Sequence, residues 1–361
     1  MHALTARAVR ETIPPGALPA AVRTTADALT NLWPHHDHED RELAALLRAN
    51  VVHLDQLTRP ALWHPTIHSC IYKVSLSLAE AGLYHQAIEY DETTLRLSSS
   101  IHGPDHPATL SACNNLVLSY NHAGRVQDAL DLGERVLADH ERILGPDHLN
   151  TFDARHNLAI ACQAAGRVQD ALDLGEQALA DYERVLGPDH PDTLDARNNL
   201  TVFYNDAGRV QDALDLGERV LADHERILGP NHPSTLAVRN NLVLSYNHAG
   251  RLQDALDLGE RVLADHEQIL GPDHPNTLKA RHNLAIACQA AGRVQDALDL
   301  AKRALADYER VLGPDHLNAL GARHNLVHAH EAAAAVQQPD AAPRAIAPDH
   351  QPPSENPEQP V

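Results

Sequence analysis

Aromatic residues make up only 3% of this 361-residue chain, with two Phe and two Trp, and there is a single Met. Leu, Ala and Val must therefore do the packing, which suits helix-on-helix contact better than a β-sandwich core. Basic residues are also short: 29 Lys and Arg stand against 49 Asp and Glu, for a formal charge of −20 and no basic stretch. A phosphate backbone would be repelled, so nucleic acid is excluded as a partner. No run of 18 apolar residues occurs, which argues against a membrane span. Met1 to Arg10 lacks the apolar core of a secretory signal, so a cytoplasmic address is expected. The four cysteines, Cys70, Cys113, Cys162 and Cys288, match neither a zinc pattern nor a Cys-x-x-Cys redox pair. They read as small buried hydrophobes. No metal and no cofactor is expected.

What the chain has in abundance is itself. Gly-Pro-Asp/Asn-His begins at Gly103, Gly145, Gly187, Gly229, Gly271 and Gly313, always 42 residues apart. Ala-Gly-Arg keeps the same period at Gly124, Gly166, Gly208, Gly250 and Gly292. Asn-Leu keeps it from Asn115 to Asn325. A period in this range marks a solenoid.

Each unit reads as two helices. After Pro107, which suits a first helical turn, Leu110, Cys113, Leu116, Val117 and Tyr120 recur at helical spacing. Gly124 ends this helix A in the left-handed conformation. Helix B then carries Val126, Ala129, Leu130, Gly133, Val136, Leu137, Ile143 and Leu144 on one stripe, with acids and arginines outside it. Gly145-Pro146 stops it. Two helices of this length are marginal alone, and stacking covers their stripes at about 1.5–3 kcal/mol per buried aliphatic side chain. The expected fold is all-α: a right-handed superhelical solenoid of antiparallel helix hairpins.

The pattern Asn198-Asn199-Leu200, Ala207-Gly208-Arg209, Asp212-Ala213-Leu214 and Leu228-Gly229-Pro230-Asn231-His232-Pro233 resembles the tetratricopeptide repeat, in the 42-residue form of kinesin light chain. The resemblance covers about residues 66–336. It departs from that family at Gly133, Gly175, Gly217, Gly259 and Ala301, where a bulky residue is usual in mid-helix B. A mid-helix Gly costs about 1 kcal/mol, so closer helix approach is expected to offset it, with an altered superhelical pitch.

Five full units fall at about 109–150, 151–192, 193–234, 235–276 and 277–318. A divergent unit, about 66–108, precedes them, and a capping helix from about Leu320 to Val336 follows. Gln337 to Val361, rich in Pro and polar residues, reads as a disordered tail. Asn114-to-Gly124 recurs at Asn240-to-Gly250, and His156-to-Gly166 at His282-to-Gly292, which implies duplication of a three-unit block. Residues 1–65 form a non-repeating segment with helices expected at Leu18 to Trp33 and Arg41 to Leu57. Ala26-Asp27-Ala28-Leu29, Leu32-Trp33-Pro34, Ala44 and Leu46-Leu47-Arg48-Ala49-Asn50 make it similar to the pre-repeat region of bacterial STAND regulators with an NB-ARC domain. That implies a sensor fragment acting with a separate nucleotide-binding chain, because no Gly-x-x-x-x-Gly-Lys-Ser/Thr loop occurs here.

The resemblance places helix A on the concave face. There it implies that Asn115, Asn157, Asn199, Asn241 and Asn283 hold a peptide backbone, with Asn121, Asn205 and Asn247 nearby; the alternative is that they bond an adjacent helix. An amide offers donor and acceptor alike. Arg155, Arg197, Arg239, Arg281 and Arg323 are expected to pair with acids such as Asp153 or with a neighbouring helix. The turn histidines, His106 through His316, are expected to cap helices. His35, His36 and His38 carry no expected metal role, while His156, His282 and His324 replace Asn on the groove side, a place for pH sensitivity. No nucleophile–base–orienter set stands out, so the expected function is a non-catalytic scaffold binding a peptide or protein segment.

Overall fold

The computed structural model describes residues 13–14, 16–34, 37 and 40–337, and among these it contains fifteen helices and no strand. The expected tail after Gln337, and the histidines at 35, 36 and 38, lie outside the described residues. An N-terminal hairpin is formed by α1 (Leu18–Asn31) and α2 (Arg41–Trp63). The divergent unit is α3 (Ser69–Glu80) with α4 (Tyr84–His102). Then come α5 (Pro107–His122) with α6 (Val126–Ile143), and α7 (Leu149–Ala164) with α8 (Val168–Leu186). The array continues through α9 (Pro191–Asp206) with α10 (Val210–Ile227), and α11 (Pro233–His248) with α12 (Leu252–Ile269). It ends with α13 (Pro275–Ala290), α14 (Val294–Val311) and the single helix α15 (Leu317–Gln337).

Consecutive helices pack side by side down the chain, and each helix A also touches the helix A of the next unit. The hairpin α1–α2 joins this stack without a break, for Val22, Ala26, Leu47 and Val51 share one core with Cys70, Ile71 and Val74 of α3. Helix α2 runs six residues beyond the expected end at Leu57, through Pro60. Non-helical dihedrals at Thr58 mark a kink there, two residues ahead of the proline.

The 42-residue signature is turn chemistry. The helix B termini at Gly103, Gly145 and Gly187 have φ between +88° and +95°, a conformation L side chains rarely adopt. Each turn histidine is the N-cap of its helix A: His106 Nδ1 accepts from the Ala108 amide at 3.1 Å, and His148 Nδ1 from Asn150 at 3.1 Å. A threonine three residues on ties the turn back, as in Thr151 Oγ1 donating to the Gly145 carbonyl at 2.8 Å. The turn aspartate meets the last-turn arginine of the next helix B along the chain: Asp105 with Arg142, Asp147 with Arg184, Asp189 with Arg226, Asp273 with Arg310. The one turn that has Asn231 instead is followed by Gln268 where its sisters have Arg.

The mid-helix glycines answer to packing. A Cβ at Gly133 would sit 3.1 Å from Leu158 Cδ1, at Gly217 3.2 Å from Leu242 Cδ1, and at Gly259 3.0 Å from Leu284 Cδ1. The leucine of each Asn-Leu pair thus seats on the glycine of the preceding helix B, which is the close approach expected from the sequence.

The solenoid winds far enough to meet itself. The turn Ala81-Gly82 abuts Pro275, and His274 Nε2 donates to the Glu80 carbonyl at 3.1 Å. One unit on, Gly124 abuts Leu317, and His316 Nε2 lies 3.3 Å from the His122 carbonyl. Both contacts span 194 residues, so the superhelix completes a turn within the described chain. Tyr84 stacks on His316 at 6.4 Å across the seam, and Arg41 of α2 donates to the Leu270 carbonyl.

The glycine seats differ in how much their neighbours can yield. At Gly175 a Cβ would lie 2.8 Å from the ring of Phe203, which is itself buried, whereas at Gly133 it meets a leucine methyl. Gly175→Ala is predicted to destabilise by about 1–3 kcal/mol in chemical denaturation, overpacking outweighing the gain in helix propensity. Gly133→Ala is predicted to change stability by less than about 1 kcal/mol.

Candidate functional site

The helix A faces form a continuous wall. Its fixed component is a ladder of amides. Asn157 Nδ2 donates to Asn114 Oδ1 at 3.1 Å, Asn241 to Asn198 at 3.0 Å, and Asn283 to Asn240 at 3.2 Å. Asn199 Nδ2 donates to His156 Nε2, and Asn325 to His282 Nε2, both at 3.0 Å. Asn157, Asn241 and Asn283 are at least nine-tenths buried, so the recurring Asn bonds the preceding helix A, the alternative left open by the sequence. Asn115, at the start of the ladder, is only half-buried and makes no side-chain hydrogen bond to a described residue. It lines a cleft of about 220 Å³ that spans three units, with Tyr72 and Leu76 on α3, Ser111 on α5, and Asn150 and Asp153 on α7.

Asn121 Nδ2 donates to the Asn157 carbonyl at 3.0 Å, and Asn205 Nδ2 to Ser245 Oγ at 2.8 Å. The Oδ1 atoms of Asn121, Asn205 and Asn247 are buried without a partner. The residues missed from the sequence are the other halves of the rungs, Asn114, Asn198 and Asn240. Their signal was the Asn-Asn-Leu triplet, in which each first Asn precedes its donor by 43 residues.

The recurring arginines pair with neighbouring helices and not with Asp153. Arg155 bridges Asp181 at 2.5 Å and Glu141 at 3.3 Å, and Arg281 bridges Asp307 at 2.6 Å and Glu267 at 2.8 Å. Arg197 and Arg239 do the same with Asp223 and Glu183, and with Asp265 and Glu225. Asp153 instead accepts from the Tyr182 hydroxyl at 2.6 Å.

One wall position varies more between units than the rest of helix A. Along helix A it reads Ser111, Asp153, Asp195, Ala237, Lys279 and Gly321, while helices α6 and α10 are identical over 18 residues. Asp195 and Lys279 are exposed, yet protein surrounds them closely enough that desolvation raises the Asp195 carboxyl to about 6 and lowers the Lys279 ammonium. Lys279 Nζ reaches Asn241 Oδ1 at 3.3 Å and no carboxylate among the described residues. No group of three or more potential metal ligands occurs among the described residues.

The ladder histidines carry a pH dependence. Because His156 and His282 accept at Nε2, their proton sits on Nδ1, and burial lowers both to about 4. A histidine held neutral stabilises the fold above its unfolded value, near 6.5, and that contribution is lost as pH falls toward 4. Asp91 and Asp195, raised by burial to about 6, act in the opposite sense. The pair His156→Asn and His282→Asn, which copies the sister units, is therefore predicted to gain about 2 kcal/mol per site over the parent at pH 5 relative to pH 7.5. Thermal melts across that range read the difference.

The tetratricopeptide repeat family matches this chain in overlapping segments at 68–138, 110–184, 166–222, 198–265 and 235–310. No curated protein sequence matches it. Among solved structures, a putative kinesin light chain of P. anserina with nearly identical TPR-like repeats is 36% identical, over 57% of this chain and 97% of that one, with a TM-score of 0.44. BtubC (BKLC) of P. vanneervenii is 17% identical, over 77% of this chain and 98% of that one, with a TM-score of 0.44. NprR, solved in complex with its cognate peptide NprX, is 16% identical, over 90% of this chain and 89% of that one, with a TM-score of 0.57. The chain belongs to the tetratricopeptide repeat family.

Proposed function

We propose that this protein is a cytoplasmic, non-catalytic scaffold that takes a peptide or protein segment against its helix A wall. One observation carries the reading: the wall position at 111, 153, 195, 237, 279 and 321 takes five residue types in six units, more than any other position of helix A, whose neighbours take four at most. The histidine caps and the Asn-Leu pairs recur around it, and Asp195 and Lys279 are exposed there, so this variety fits discrimination among ligands. Lys279, which has no carboxylate partner among the described residues, and Asp195, costly to ionise where it stands, both gain from a ligand charge of opposite sign. Asn115 adds an amide free to meet a ligand backbone, while Asn157, Asn199, Asn241 and Asn283 contribute by fixing the wall and through whatever donor or acceptor capacity the ladder leaves. Asn121, Asn205 and Asn247, each with a carbonyl oxygen lacking a partner, line the next turns. The NprR–NprX complex supports the reading, as a solenoid of the same fold holding a peptide.

The test is affinity capture with the full chain and with a Lys279→Glu, Asp195→Asn double variant. Both sites are exposed, so far-UV circular dichroism is expected to match the parent, and melting at neutral pH to be no lower than the parent's, since Asn at 195 relieves a carboxylate costly to ionise. The variant is predicted to lose the parent's captured proteins. An unchanged set of partners would contradict the proposal.

A further inference from the structure

The last helix lacks the cover that every complete unit has. Leu320 stands where Leu110, Phe152, Leu194, Leu236 and Leu278 stand in the five full units. Those five are at most 2% exposed, and Leu320 is 46% exposed. Val327 matches Val117, Ala159, Thr201, Val243 and Ala285, which are at most 4% exposed, and is itself 50% exposed. In a full unit this face is covered largely by the unit's own helix B, as Tyr308 of α14 covers Leu278 of α13. Residues 338–361 hold seven prolines and no copy of the helix B pattern Val-Gln-Asp-Ala-Leu-Asp-Leu.

Arg323 reports the same gap in charge. Arg155, Arg197, Arg239 and Arg281 each bridge two acids, a glutamate on the preceding helix B and an aspartate 26 residues on, in their own helix B. Arg323 retains the first bridge, to Glu309 at 2.5 Å, and has no second among the described residues. Its side chain is 48% exposed, against 1% for Arg281. Leu320, Arg323 and Val327 lie on one side of the helix, at spacings of three and four residues. A terminal cap that only solubilised the array would present a polar outer face.

We propose that this face of α15 is the seat for an amphipathic helix supplied by a partner protein, with small and branched apolar residues toward Leu320 and Val327 and an acidic side chain on Arg323. The empty half of the Arg323 pairing specifies the acid, and the five filled copies specify the helix. A second copy of this chain is disfavoured, because its helix B stripes are already buried and pairing α15 with itself about the Leu320–Val327 stripe sets Arg323 against Arg323. The seat is separate from the helix A wall position that discriminates ligands, and it stands or falls independently of that reading.

A synthetic peptide with the sequence of α14, residues 294–311, is the probe, since Asp307 already bridges Arg281 in the preceding unit. Titrated against the full chain by fluorescence anisotropy, it is expected to bind saturably. Leu320→Asp or Arg323→Glu in the protein should weaken it at least tenfold, and both sites are exposed enough to leave melting unchanged. A peptide carrying Asp307→Arg should lose affinity for the parent and regain it on the Arg323→Glu protein. Absence of saturable binding would overturn the proposal, as would binding indifferent to both variants. So would binding that appears only after residues 338–361 are removed, which would make the tail the occupant. A dimer in sedimentation that Leu320→Asp dissociates and the peptide does not would assign the seat to a second copy instead.

Discussion

Everything in this molecule hangs on how closely one helix B lets the next helix A approach. Glycine at 133, 175, 217 and 259 removes the side chain that would hold the neighbour away, and Leu158, Leu242 and Leu284, with Phe203 at Gly175, fill the space. Each unit gives up about 1 kcal/mol of helix propensity for that approach, and a buried leucine contributes more than it loses. Because the same seat recurs in register, the small rotation between units recurs too. The accumulated rotation carries the turn of the divergent unit under the N-cap of a helix 194 residues later. At that seam a residue serves twice: His274 caps its helix with Nδ1 and joins the coils with Nε2. The Nδ1 bond fixes the tautomer that the Nε2 bond needs.

Polar groups in such an array have two kinds of work. The amide ladder and the buried arginines hold register between units, which a stripe of Leu, Ala and Val alone specifies weakly. Exposed pairs such as Arg142 with Asp105 add little energy singly, but they decorate the outer surface with paired charge. What is paired less than its sisters is therefore informative. Among the described residues, Lys279 on the wall meets an amide and no carboxylate, and Arg323 at the end keeps one of the two acids that its sister arginines bridge.

The hairpins, their caps and their stops were legible because each rests on local chemistry: a glycine with positive φ, a proline after it, a histidine at the N-cap. The mid-helix glycines were legible as a question, and the structure answers it with the leucine seat. The closure of the superhelix was not legible, since it depends on summed inter-unit rotations that no single residue encodes. The asparagines show a different limit. An amide that can hold a ligand can equally hold the next helix, and only the coordinates reveal that Asn157 spends its donor on Asn114. A sharper sequence reading was available in paired changes. Asn231 with Gln268 replaces Asp with Arg, and His156 replaces Asn opposite Asn199.

The central claim is that glycine seats wind the array until its coils touch. Spin labels at the exposed positions Ala81 and Pro272 span the seam, and double electron–electron resonance reads the distance between them. The account predicts one short, narrow distance in the parent, and a longer, broader one when Gly133, Gly175, Gly217 and Gly259 are all changed to Leu. A long or diffuse distance in the parent, or a short one that survives the four leucines, would contradict it.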